Sequence, residues 1–190
     1  MSAENKSVVL VTFAVQSEAF EAFAELKNNA EAETYSVEQA GVLCNNGDGD
    51  VVTDTFGNDT VDNDVAFGGL IGALIGLLGG PFGVLVGGSV GLFAGGIKGE
   101  SDDDRNSSLI SLVAGKLAVG QAGIVALVRE DDPAAFDAVF EDYDVHIYRW
   151  PASEVEEAVR VEHERQSEDE KAQREAKREA RKEARDAERA

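Results

Sequence analysis

The sequence predicts an α+β fold: a ferredoxin-like sandwich of two βαβ units, with an inserted glycine-rich helical hairpin and a long charged C-terminal helix. Three observations carry this. Residues 7–14 (SVVLVTFA) and 120–130 (GQAGIVALVRE) are nearly continuous apolar runs, the pattern of strands buried on both faces. Each is followed by a helical pattern with apolar pairs (Ala19-Phe20 and Ala22-Phe23; Ala135-Phe136 and Val139-Phe140) and then by a further strand. Between the two units lies a long stretch without a charged side chain, 65–97. The divisions expected are 1–64 and 100–151 for the two halves of the ferredoxin-like domain, 65–99 for the hairpin, and 152–190 for the charged helix or tail.

In chain order, Ser17 stands where an N-cap is expected, with Glu18 and Glu21 in the first turn of a helix running to about Ala30. Ala19, Phe20, Phe23 and Leu26 form its inward stripe. A second strand follows over 34–44. Asn45 to Asp50 is dense in turn formers, and 51–56 pairs back as a hairpin strand. Beyond the glycine segment, Leu109, Leu112, Val113 and Leu117 lie at helical spacing, which predicts a helix over about 105–119. Asp132-Pro133 opens another, with proline at the first helical position. The last strand, 145–150, alternates. Val145 and Ile147 are expected to face the helices, leaving His146, Tyr148 and Trp150 on an open face that needs a cover. The hairpin, helix 105–119 or another subunit would supply it. The two apolar strands are expected side by side at the centre of the sheet and parallel.

In 65–97 glycine recurs every fourth position: Gly68, Gly72, Gly76 and Gly80, then, after a slip at Pro81, Gly83, Gly87, Gly91 and Gly95. Residues four apart share a helix face, so each arm carries a smooth groove along which backbones can approach closely. Gly79-Gly80-Pro81 breaks the run into two arms of about sixteen residues, ~24 Å each at ~1.5 Å per residue. That is slightly short of a bilayer core of ~30 Å. The flanks are acidic: Asp59, Asp62, Asp64, Glu100 and Asp102 to Asp104 surround Lys98. Such flanks oppose the usual preference for Lys and Arg at the cytoplasmic side.

The arrangement of strand, helix, strand, acidic approach, GGLIGALIGLLGGPFGVLVGGSVGLFAGG, helix and second βαβ unit resembles a family of prokaryotic proteins. That family is known as domain of unknown function twelve-sixty-nine and is usually labelled "predicted membrane protein". The resemblance spans roughly 7–150 and leaves out the charged tail. It implies a ferredoxin-like core, a glycine-rich hairpin and membrane association, and it transfers no catalytic residue.

The net charge is -20, with 37 acidic against 17 basic residues. So acidic a surface excludes nucleic acid as a partner, since phosphates need Lys and Arg. It is also the composition of proteins from a salt-loaded, halophilic cytoplasm, where screening removes much of the self-repulsion. Cys44 is the only cysteine, which rules out an internal disulfide. It reads as a small buried apolar residue at a strand end. His146 and His163 have no sequence-local partners that suggest a metal site or a triad. Asn46 to Asp50 reads as a turn, and Asp102 to Asp104 as a solvated charge run. No catalytic residue, cofactor or metal is therefore expected.

The expected function is non-enzymatic: a cytoplasmic α+β domain held at the cytoplasmic membrane, peripherally or integrally, through 65–97, in stress response or envelope maintenance. The alternative is a soluble cytoplasmic homo-oligomer whose hairpins pack on one another. A small-ligand regulatory module is a third reading, by analogy of fold alone. The tail carries interleaved charges of both signs, with alanine as its main apolar residue. It reads as a solvated helix or as a weak alanine-seam coiled coil in an oligomer.

Overall fold

The computed structural model describes residues 6–46, 54–57, 69–79, 109–110 and 112–187. Five strands, β1 (Lys6–Phe13), β2 (Tyr35–Cys44), β3 (Asp54–Gly57), β4 (Ala122–Glu130) and β5 (Val145–Pro151), form one sheet in the order β3-β2-β4-β1-β5. Every pairing is antiparallel. The helices are α1 (Gln16–Asn28), α2 (Leu70–Gly79), α3 (residues 109, 110 and 112–114), α4 (Pro133–Asp137) and α5 (Ala152–Ala187). A 3-10 turn, Ala138–Phe140, continues α4.

β1 and β4 are central, as the apolar runs predict, but they are antiparallel, with Lys6 opposite Arg129 and Phe13 opposite Ala122. The expectation of a parallel pair is wrong for a topological reason. Each βαβ crossover leaves a gap one strand wide, and the other unit's strand fills it running the opposite way. β1 and β2 run in the same direction but flank β4 rather than touch.

Because side chains alternate across a strand, each strand feeds two cores. Val9, Val11 and Phe13 join Ile124, Ala126 and Val128 under α1 and α4, where Ala19, Ala22, Phe23, Leu26, Phe136 and Phe140 are buried. Val8 and Leu10 join Val125 and Leu127 on the opposite side. There Ile71, Leu74, Ile75 and Leu78 of α2, Ile110 and Val113 of α3, and Val155, Ala158 and Val159 of α5 cover them. Both faces of the sheet are therefore closed.

β2 reaches the same result by a device the pattern YSVEQAGVLC hides. A register shift between Val37 and Gln39 leaves Glu38 as an extra residue. This bulge reverses the parity of the strand. Tyr35 and Val37 before it, and Ala40, Val42 and Cys44 after it, all face α1 and α4. Gln39 and Leu43 are released to the α2 side, where Gln39 meets the start of α2 and Leu43 joins the core.

Several local expectations are corrected. α1 begins at Gln16 with Val15 as N-cap and no side-chain cap, not at Ser17. Gln16 Nε2 instead donates to Asn46 Oδ1 (2.9 Å). α1 ends at Asn28 rather than Ala30, and Phe20 is only half-buried. The helix expected over 105–119 is helical at 109, 110 and 112–114 and turns from Gly115, a residue type that ends helices. Residues 105–108 lie outside the described residues. Asp132-Pro133 opens α4 as expected, with Pro133 at the first position, and the Asp132 carboxylate also caps it, accepting from Ala134 N at 3.0 Å.

Candidate assembly surface

Of the residues singled out in the sequence, Gly72, Gly76, Tyr148 and Trp150 are described on the side of the sheet built from α2, α3 and α5. α2 is all apolar or glycine, LIGALIGLLG. Its entry is set by Gly69, whose φ of 94° suits glycine, and an added Cβ there would collide with the Gln39 amide. Gln39 Oε1 accepts from Ile71 N at 3.1 Å and satisfies one of the donors a helix start leaves open. A side chain on the bulged strand thus supplies the cap that the glycine-rich sequence cannot.

Of the groove glycines, Gly72 and Gly76 lie among the described residues, while Gly68, Gly80, Gly83, Gly87, Gly91 and Gly95 do not, nor does the second arm. Gly72 is buried. Gly76 is exposed, and a Cβ added there would meet nothing within 4 Å among the described residues. The broad aliphatic face of α2, with Ile71, Leu74, Ile75 and Leu78 at most 3% exposed, lies on the protein's own sheet. What remains outward is a strip of small residues, Gly69, Ala73 and Gly76.

The aromatic trio separates. Tyr148 and Trp150 are half-buried, stack at 6.2 Å between ring centroids and an interplanar angle of 24°, and pack against the α2 core. The Lys116 ammonium sits 4.8 Å from the Tyr148 centroid. Val145 and Ile147 face α1 and α4, as the alternation predicts. His146 is exposed. The cover this face requires is supplied within the chain by α2, α3 and the first turns of α5.

Polar groups form two clusters elsewhere. Glu38, at the bulge, accepts from Lys6 Nζ (2.7 Å) and Arg129 Nη2 (2.6 Å). Burial works to raise its carboxyl, but the two cations prevail and hold it below the usual carboxylate range. An open polar cleft of about 480 Å³ lies beside it, lined by Glu31, Ser36, Glu38, Gln39 and Arg129 among others. Arg149 bonds to Glu130 (3.1 Å), to Asp137 and to the Pro133 carbonyl (3.3 Å), with its guanidinium 5.9 Å from the Phe136 ring centroid. This fastens α4 to β4 and β5. Burial tends to lower the Arg149 pKa, but the two carboxylates outweigh it and raise it. Burial pushes the Cys44 thiol up, away from thiolate character. Among the described residues no group of three or more His, Cys, Asp or Glu could hold a metal ion.

Sequence reasoning missed Asn45 among the turn formers. It is buried, donates from Nδ2 to the Leu117 carbonyl (2.9 Å) and exchanges backbone bonds with Gln121 and Gly120, tying the end of β2 to the turn before β4. No helix among the described residues is long and apolar enough to cross a membrane.

Comparison with protein-family models, with curated proteins and with solved structures returned no match.

Proposed function

We propose that this chain is a non-enzymatic assembly protein: a ferredoxin-like domain that associates with further copies of itself through the small-residue face of α2. The strand order β5-β1-β4-β2, with β3 set aside, supports the fold reading. The observation that carries the functional reading is Gly76. A glycine inside a helix costs about 1 kcal/mol relative to alanine. At Gly76 no neighbour among the described residues requires it. A groove that no described residue fills, on a helix whose other side is already committed to the sheet, suits close approach by another helix backbone.

A second reading, a tether to the bilayer, is favoured by the uncharged length of 65–97. Were α2 itself to enter the bilayer, it would have to leave the core it shares with β2, β4 and α5. The two separate in one experiment on the full chain. Gly76→Leu fills the groove without touching the sheet side of α2. Self-assembly predicts that sedimentation velocity shows a smaller particle for this variant while its circular dichroism is unchanged. An unaltered particle size refutes the groove. Flotation with phosphatidylcholine–phosphatidylglycerol vesicles would instead establish the tether.

A further inference from the structure

α5 is continuous from Ala152 to Ala187, which at ~1.5 Å per residue is ~54 Å. Its first turns bury Ala152, Val155, Ala158, Val159 and Glu162 against the domain. Beyond them His163, Glu164, Arg165, Glu168, Lys171, Arg178 and Arg181 are exposed, so the helix leaves the body of the protein. Its charge is segregated along that length. Residues 152–170 hold 8 acidic and 2 basic residues, net -6; residues 171–187 hold 4 acidic and 7 basic, net +3. The rest of the chain is strongly acidic, with 32 acidic and 9 basic residues over 1–170. The distal half of α5 is thus the one cationic segment of the sequence, carried away from its own acidic domain by an unbroken helix that cannot fold back on itself.

We propose that two copies pair antiparallel along α5, the basic distal half of each lying on the exposed acidic side (Glu154, Glu156, Glu157, Glu164) of the other's proximal half. The occupant is a second copy because the complement is within the same helix. Reversing one copy brings net +3 opposite net -6 at both ends, in a two-fold arrangement centred near Lys171. A parallel pair would set like charge against like. Alanine at 172, 176, 180 and 184 keeps the distal half slim at fourth-residue spacing, which allows close approach. Without a large apolar residue in 171–187, lipid gains little from that segment. The pairing rests on the reading of the chain as self-assembling, but it uses a different surface.

The test is a charge swap in the full chain. R178E/R185E, at the register positions opposite Glu164 and Glu157 of the other copy, removes four cross-pairs per dimer; at roughly twofold each, the dissociation constant of the α5 contact rises on the order of 10–20-fold. E157K/E164K does the same, and mixing the two variants restores association. Raising salt from about 0.1 M to about 1 M weakens the wild-type contact, because screening shortens from ~10 to ~3 Å. Spin labels at position 171 lie close across the pair, and labels at 153 lie far apart. With both surfaces active, Gly76→Leu alone and charge reversal alone each leave a dimer, and the combination leaves a monomer. Charge reversal that changes neither particle size nor salt response overturns the α5 contact and leaves the α2 groove standing. Labels close at both positions overturn the antiparallel direction.

Discussion

The two faces of the sheet are closed by different means. Under α1 and α4 the core is aromatic and locally made. Phe136 stands edge-on to Tyr35 at 5.6 Å and contacts Phe140 at 5.4 Å, while Phe13 meets Phe140 at 6.2 Å and Tyr143 at 5.9 Å. Each helix there follows the strand it covers, and Arg149 pins the second unit from the rim. The opposite face is aliphatic apart from Tyr148 and Trp150 on β5, and is assembled from distant pieces: α2 inserted after β3, α3 just before β4, and α5 after the last strand. One side is the product of the βαβ repeat, and the other is an addition to it. The first should carry global stability. The second should open on its own at lower cost, since local openings follow regions whose contacts are not part of the central unit.

The largest expected effect tests the aromatic side. Phe136→Ala removes a fully buried ring and should cost about 3–5 kcal/mol in urea denaturation. Hydrogen exchange should then quicken across β1 and β4 alike. Leu74→Ala, on a residue 0% exposed in the aliphatic core, is expected to cost about 3 kcal/mol. Its signature differs: amides of α2 exchange faster while β1 and β4 keep their protection. Equal loss of protection in β1 and β4 would break the contrast and make the two faces one cooperative unit.

The smallest effect sharpens the comparison at the bulge that serves both faces. Glu38 has its folded pKa lowered from 4.5, so its ion pairs stabilise the protein above the unfolded-state value and cease to do so as pH falls through the folded one. Lys6 and Arg129 are partly solvated, which keeps the contribution small. Glu38→Gln should cost on the order of 0.5 kcal/mol at neutral pH and nothing in acid below the folded carboxyl's titration. A constant deficit at both pH values would assign the effect to the bulge geometry rather than to charge.

Much of the aromatic side is legible in the sequence. Strand, helix, strand occurs twice, Asp132-Pro133 announces α4, and the alternation of 145–150 assigns Ile147 and Tyr148 to opposite faces correctly. The aliphatic side is not legible in the same way. An uncharged run such as LIGALIGLLG reads alike whether it meets lipid, another chain or its own sheet, because hydrophobic burial has no direction. Strand direction in the centre is not legible, because apolar composition does not encode it. The Glu38 bulge was invisible because one extra residue leaves no mark on composition. Gln39 as the cap of α2 is a contact between residues thirty-two apart, which periodicity does not report.

The position of β1 has a consequence for how the chain is made. Its two neighbours, β4 and β5, are translated more than a hundred residues after it, and the turns of α5 that seal Val8 and Leu10 come later still. A growing polypeptide therefore holds this strongly apolar strand unpaired until β4, from Ala122 on, has been made. Contacts of such long sequence separation slow folding, so pairing of that strand waits on residues made more than a hundred positions later.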